Sequence, residues 1–255
     1  MRIATWNVNS LRVRLPQVLR WLADHQPDVM ALQETKLVDE QFPFAEFAAA
    51  GYQVLFNGQK TYNGVAVLAR GALADPVREI PGFEDTQRRV LAVTCGGVRV
   101  IDLYVPNGQA VDSDKYEYKL RWLAALAGWL ATELARGLPL VVLGDFNIAP
   151  EDRDVYDPIA WAGQVLASDR EREALARIRA LGLVDVFRNF DQPERSFSWW
   201  DYRAGGFRRN QGLRIDLILA SQSLASRCQG CRIELLARGN EQPSDHAPVL
   251  ADFDI

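Results

Sequence analysis

The stretch VVLGDFNIAP at 141–150 places a carboxylate, Asp145, and a carboxamide, Asn147, at the end of an apolar run. Side chains alternate along a strand, so the two share a face. Asn7 and Asn9 close the run IATWNVN in the same way, and Glu34 closes VMALQE. Asp216 sits inside RIDLIL, while Asp245 and His246 precede the strand-like APVLADF. A single strand-end Asp or Asn commonly serves a turn by bonding nearby backbone N–H groups. The set has a second reading. An unpaired buried carboxylate costs roughly several kcal/mol, and gathered carboxylates raise one another's pKa. A cation among them removes the conflict. Carboxylate and amide oxygens are hard ligands that suit Mg²⁺ or Mn²⁺ better than zinc.

The chain has two histidines. His25 falls near the end of a predicted helix and reads as structural. His246 adjoins Asp245 and has Asp216 available as a partner, and a carboxylate that orients an imidazole is a recurring catalytic unit. CQGC at 228–231 has redox or zinc spacing, but the chain's three cysteines offer no second pair to complete a zinc site. It reads as two reduced thiols near a turn, ahead of a strand at RIELLA.

These side chains need a scaffold of strands. Apolar runs of strand length recur at RIATWNV, DVMALQE, YQVLF, GVAVLAR, RVLAVT and VRVIDLYV. They return at LPLVVLGD, LVDVF, SFSWWDY, LRIDLILA, RIELLA and APVLADFDI. Helical periodicity covers 14–25, 114–136 and 170–181, clearest in Leu120, Leu123, Leu126, Leu130 and Leu134. About a dozen strands exceed one comfortably twisted sheet, which predicts an α/β fold with two mixed sheets packed face to face under helices. The strands IATWNVNS and VVLGDFNIAP echo each other, hinting at pseudo-twofold halves, roughly 1–137 and 138–255, inside one domain. The irregular stretch 151–169 reads as a long functional loop.

Composition bounds the partners. Among 255 residues, 48% are hydrophobic and 24% charged, as in an ordinary globular domain. The net charge of −4 supplies no global positive field for nucleic acid, so contact with DNA needs local basic groups or a bound cation. Candidates are Lys60 with Tyr62 and Asn63, Arg88 with Arg89, Lys115 with Lys119, and Arg203 with Arg208 and Arg209. The N-terminus lacks the form of a signal peptide, the cysteines are few and odd in number, and no apolar run would span a membrane. The expected setting is cytoplasmic.

Seven motifs then fall in order: WNVNSLR at 6–12, LQETK at 32–36, YNGVAVL at 62–68, YVPNG at 104–108, GDFNIAP at 144–150, GLRIDLILAS at 212–221 and SDHAPV at 244–249. Together they resemble the exonuclease III family of DNA-repair nucleases, within the endonuclease/exonuclease/phosphatase superfamily. The resemblance implies a four-layer α/β sandwich of two packed mixed β-sheets flanked by helices. It implies an Mg²⁺-dependent phosphodiesterase, with Mn²⁺ able to substitute, acting as a monomer on double-stranded DNA at abasic sites and 3′ ends. Implied activities are 3′→5′ exonuclease, incision 5′ to an abasic site and cleaning of blocked 3′ ends.

By the same resemblance Glu34 is the main metal ligand, supported by Asn7 and Asp245. Asp145 deprotonates the attacking water, with Asn147 holding it. His246, oriented by Asp216, stabilises charge on the phosphate. Tyr104 contacts phosphate and can protonate the leaving group. Asn9, where some members carry aspartate, and Asn107 contact substrate. Lys60, Arg203 and Arg208 are the favoured phosphate contacts, and Trp199, Leu213 and Ile215 wall a pocket for a flipped or terminal sugar. The glycine-containing basic stretch 204–212 reads as a mobile loop pressed into a groove. Two rivals are a phosphatase of inositol phosphates or lipids and a non-catalytic binder of DNA ends.

Overall fold

In the computed structural model, which describes residues 1–255, the first half of the chain runs β1 (Arg2–Asn7), α1 (Leu11–His25), β2 (Val29–Gln33), α2 (Phe44–Ala49), β3 (Gln53–Asn57), β4 (Val65–Ala69), β5 (Ala74–Val77), β6 (Val90–Cys95), β7 (Val98–Tyr104) and α3 (Asp114–Ala135). It continues through β8 (Leu140–Asp145), α4 (Pro158–Trp161), α5 (Asp169–Arg179), β9 (Leu183–Asp185), β10 (Trp199–Trp200), β11 (Gly212–Leu213), β12 (Asp216–Ser221), α6 (Gln222–Ala225), β13 (Cys228–Ile233) and β14 (Val249–Phe253). One mixed sheet has the order β13-β14-β1-β2-β4-β3 and the other β5-β6-β7-β8-β12-β9.

Burial on both faces explains why the strands read as unbroken apolar runs. Val141 and Leu143 of β8 join the core between the sheets, where Ile3, Ala31, Val100 and Ile218 also pack. Leu140 and Val142 point outward, against Trp122, Leu126 and Leu130 of α3. On the other side Ala4 and Trp6 of β1 and Met30 and Leu32 of β2 pack against Val18, Trp21 and Leu22 of α1. Helix, sheet, sheet and helix therefore make four layers. Along the inner face each strand changes character at the same end. Ile3 gives way to Thr5 and Asn7, Ala31 to Gln33, Val100 to Asp102 and Tyr104, and Leu143 to Asp145.

The chain departs from the sequence reading in several places. The CQGC thiols are free and directly follow a turn at Ser226–Arg227, but the segment itself forms β13, with a bulge between Cys228 and Gly230. The end of RIELLA leaves the sheet as a 3-10 turn over Leu235–Gly239. Buried Cys231 packs into the core between the sheets, with Cys228 and Ile233 of the same strand packed against it. In α3 the buried stripe is Tyr116, Lys119, Trp122, Leu123, Leu126, Trp129, Leu130 and Glu133, one step from the predicted leucine line, so Leu120 and Leu134 are only half-buried.

The internal echo has a different phase. The neighbours β14-β1-β2-β4-β3 pair antiparallel, parallel, antiparallel, antiparallel. So do β6-β7-β8-β12-β9. This matches β1 to β7 and β2 to β8, whereas the sequence reading set β1 against β8 and divided the chain near residue 137. A parallel pair needs a crossover, and the two crossovers carry α1 and α3. Helix α3 thus lies inside the second unit rather than at the end of the first.

Candidate active site

Register builds the site. Parallel pairing sets Tyr104 beside Asp145, and antiparallel pairing sets Asp216 on the other side of Asp145. In the facing sheet Asn7 lies beside Gln33, and the backbone turns into the left-handed region at Glu34 (φ 52°). Gly144 has φ 135°, and a Cβ there would stand 2.0 Å from the Leu103 carbonyl oxygen. Glycine thus lets β8 approach β7 closely just before Asp145. Asn147 (φ 49°) and Asn9 (φ 43°) also adopt the left-handed conformation, which short polar side chains tolerate.

Hydrogen bonds tie the two sheets. Asn7 Nδ2 donates to Glu34 Oε1 at 2.8 Å and to Asp145 Oδ2 at 2.9 Å. The Asn147 backbone N–H donates to Asp145 Oδ1 at 2.8 Å, and Asn147 Nδ2 to Asp145 Oδ2 at 3.2 Å. Asn107 Nδ2 donates to Asn147 Oδ1 at 3.1 Å. Across the cleft His246 Nδ1 meets Asp216 Oδ2 at 2.9 Å, and its Nε2 lies 3.7 Å from Asp145 Oδ2. The Ser244 hydroxyl accepts from the His246 backbone N–H and donates to the Asn7 carbonyl, clamping the histidine loop onto β1.

Electrostatics follow from this crowding. Burial alone would lower the His246 pKa, but Asp216 and then Asp145 overcome it and push the imidazolium up to about 10. Burial raises Asp145 to about 7, against the pull of His246. Tyr104 is held well above the usual phenol range by burial and then by Glu34 and Asp145. The Arg89 guanidinium lies 4.7 Å from its ring centroid. A cationic imidazole, a carboxylate that titrates near neutrality and a firmly protonated phenol thus converge on one cleft. They suit anion stabilisation, proton acceptance and proton donation respectively.

Other predicted residues have different surroundings. Asp245 accepts from Asn9 Nδ2 at 2.9 Å and from Trp199 Nε1 at 3.0 Å, and stands outside the tightest donor cluster. Asn9 in turn accepts from Lys36, whose ammonium also sits 2.9 Å from Glu34 Oε2. Leu213 and Ile215 are buried in a small cluster with Ala149, Val155, Leu166 and Ala167, against which Trp199 packs while staying partly exposed. They fill space rather than line an open pocket. Asn107, Lys60, Arg203 and Arg208 are exposed. Asn107, Tyr104, Asn63 and Tyr62 line a polar cavity of about 730 Å³ beside the site.

Two basic residues grouped with the surface by sequence are inside. Arg89 is 9% exposed and stacks on Tyr104, and Lys119 is fully buried. Lys36 was passed over, although its place two residues after Glu34 in LQETK marked it. The buried trio Thr5, Gln33 and Asp102 was also missed. Gln33 Nε2 donates to Thr5 Oγ1 at 2.8 Å and to Asp102 Oδ1 at 2.7 Å, joining the sheets beneath the site.

The donor set fits an oxygen-preferring divalent ion. Ligand atoms of Glu34, Asp145 and His246 lie within 4.8 Å of one another. Glu34 already attracts the Lys36 ammonium, and a turn of the Asn7 amide would aim its oxygen where its nitrogen now bridges Glu34 and Asp145. The carboxylate and amide oxygens among these groups suit a hard divalent cation.

A family model described as the endonuclease/exonuclease/phosphatase family matches residues 4–246. The chain belongs to this family. It is a nuclease of the exodeoxyribonuclease III type. Exodeoxyribonuclease III of Haemophilus influenzae is 38% identical over 269 residues, covering 99% of this chain and 100% of that protein. A 3′ phosphatase from Neisseria, solved bound to a product DNA hairpin, superposes with a TM-score of 0.98 at 47% identity and covers 100% of both chains. An AP endonuclease from Archaeoglobus fulgidus gives 0.96 at 39% identity, again over 100% of both. No helix of this nuclease is long and apolar enough to cross a membrane.

Proposed function

We propose that this nuclease hydrolyses phosphodiester bonds of double-stranded DNA with Mg²⁺, serving base-excision repair as a 3′→5′ exonuclease, a cleaner of blocked 3′ ends and an incising enzyme 5′ to abasic sites. The observation that carries the reading is the His246 ring lodged between two buried carboxylates, 2.9 Å from Asp216 and 3.7 Å from Asp145. A cation so placed beside Glu34 and Tyr104 suits a phosphate and little else. The relatives described as a 3′ phosphatase and an AP endonuclease support both 3′-end and abasic substrates. The filled cluster around Leu213 and Ile215 favours 3′ ends over an extrahelical sugar.

In this reading Asp145 accepts the proton of the attacking water, and Asn147 orients both. His246 donates to a non-bridging oxygen as negative charge grows on phosphorus, with Asp216 fixing its ring. Tyr104, poised to give up its proton only to a strong base, protonates the departing 3′ oxygen. Glu34 and Asn7 would hold the metal, with Asp245 a further candidate, and the ion would act as a Lewis acid on the phosphate. Attack is in line, with inversion at phosphorus. Asn9, Asn107, Lys60, Arg203 and Arg208 contact the DNA backbone around this centre, and Trp199 stacks beside the terminal sugar.

One gel tests the proposal. Duplexes with an abasic site, a recessed 3′ end and a 3′-phosphate end are each incubated with Mg²⁺, with EDTA, and with metal restored. Cleavage that appears only with metal, strongest at 3′ ends, is expected. Undiminished cleavage in EDTA defeats the metal assignment. Hydrolysis of inositol phosphates with none of DNA would instead identify a phosphatase, and retention of DNA without cleavage a binder of ends.

A further inference from the structure

Lys119 and Glu171 form an ion pair with both side chains at 0% exposure. A pair so buried gains little over apolar residues of the same volume, so stability alone gives no reason for it. Its contacts do. The Lys119 ammonium donates to the Asn147 carbonyl at 2.6 Å, to the Asn107 carbonyl at 3.2 Å and to Glu171 Oε1. It thereby pins the two strand-end loops whose asparagines meet at the site, one of them in a left-handed conformation.

From Asn147 the connection reaches the reacting carboxylate. The backbone N–H and the side-chain Nδ2 of Asn147 each hold one oxygen of Asp145. Asn147 Nδ2 also donates to the Val105 carbonyl at 3.0 Å, fastening the same loop to β7. Glu171 completes the arrangement on its far side. It accepts from the Leu166 backbone N–H at 3.1 Å and from the Ser168 N–H and hydroxyl, and the Leu166 carbonyl accepts from Ala149 N–H at 2.7 Å. The irregular loop and the loop carrying Asn147 thus share one buried charge.

We infer that Lys119 is a positioning residue that fixes the orientation of the Asp145 carboxylate through the backbone of Asn147, and that Glu171 is its fixed counter-charge. This rests on the nuclease reading for its kinetic consequence. It is independent of that reading for its structural one. Sequence order conceals the link, because Lys119 lies on α3 whereas the residues it orients lie at the end of β8 and in the loop that follows it.

The test uses Lys119→Met and the double variant Lys119→Met/Glu171→Leu, which replaces the pair by apolar groups and keeps the fold available if the single variant does not fold. With a recessed-3′ duplex and Mg²⁺, kcat of the double variant should fall by roughly 30- to 100-fold, as for a small displacement of a reacting group. KM should stay within about 3-fold, separating loss in the transition state from loss of binding. Amide hydrogen exchange without substrate should show the Asn147 N–H losing protection while the β8 amides keep theirs. A double variant with wild-type kcat, parallel loss of kcat and KM, or an Asn147 amide as protected as before would overturn the inference. If the wild-type protein fails to cleave the duplex, the nuclease reading is lost, and the exchange of Asn147 still decides the positioning role.

Discussion

Replacing Asp216 by Asn tests the electrostatics of the cleft most directly. The two residues are nearly the same shape, so the His246 ring keeps a hydrogen-bond acceptor and loses a charge 2.9 Å away. With an effective dielectric near 20, two unit charges at that distance attract by about 6 kcal/mol, equivalent to about 4 pKa units. Relaxation and the retained hydrogen bond reduce the change, and a fall of at least about 2 units is expected. The sign is fixed by the raised pKa. In the native protein the imidazolium's contribution is full below its ordinary value of 6.5 and fades as pH climbs through about 10. In the variant it fades near 8 or below, because burial lowers the ring's pKa and Asp145 at 3.7 Å is the remaining close partner. The chain has only two histidines, so ring resonances of metal-free protein can be followed individually by NMR from pH 6 to 11. In parallel, kcat/KM on a recessed-3′ duplex at pH 9 should drop by roughly 10- to 100-fold, the scale of losing one preorganised donor. A variant ring that still titrates within about 1 unit of the native one would refute the argument.

Asp145→Asn removes the proton acceptor; kcat should fall by about 1,000-fold or more while DNA affinity by fluorescence anisotropy moves by less than about 3-fold. Asp102 is fully buried, one of its oxygens lacks a partner, and burial holds its pKa well above 3.8. The unfolded chain ionises freely above that value, so the fold loses stability as pH climbs past it. Asp102→Asn should therefore raise the melting temperature by about 2–4 °C at pH 8 in calorimetry, a gain of about 1 kcal/mol. The gain should shrink toward pH 4, and a variant less stable than wild type at pH 8 would contradict it. Gly144→Ala drives a methyl into the Leu103 carbonyl, which belongs to the β7 backbone and cannot yield. Urea unfolding should show a loss of about 3 kcal/mol or more, and a neutral substitution would show that the strands have room to part.

The strands were legible because four layers bury both faces of each central one, leaving apolar runs that composition alone exposes. Strand β5 (ADPV) was not legible, since it is short, contains proline and stays largely exposed at a sheet edge. The polar ends of β1, β2 and β8 and the position of His246 pointed to a shared site because strand termini gather at one end of such a sandwich. What sequence could not show were partners chosen by tertiary packing. Asp245 turns to Asn9 and Trp199. Arg89 lies over Tyr104 because Gln87 Oε1 accepts from both its Nε and Nη2. Lys119 did carry a signal: it falls in phase with Tyr116, Leu123, Leu126 and Leu130 on the apolar stripe of α3, where an unpaired ammonium would be intolerable. The pocket wall is the opposite case, since Leu213 and Ile215 look the same in sequence whether they face a cavity or fill one.

The clamp between Asn7 and Ser244 joins residues 237 positions apart, and β1 acquires its neighbour β14 only after nearly the whole polypeptide is available. A ribosome-bound fragment ending short of Ser244 therefore holds Asn7, Glu34 and Asp145 without the histidine that must face them. Scissor and handle are completed in the same moment, so a half-made copy has no means of cutting a chromosome.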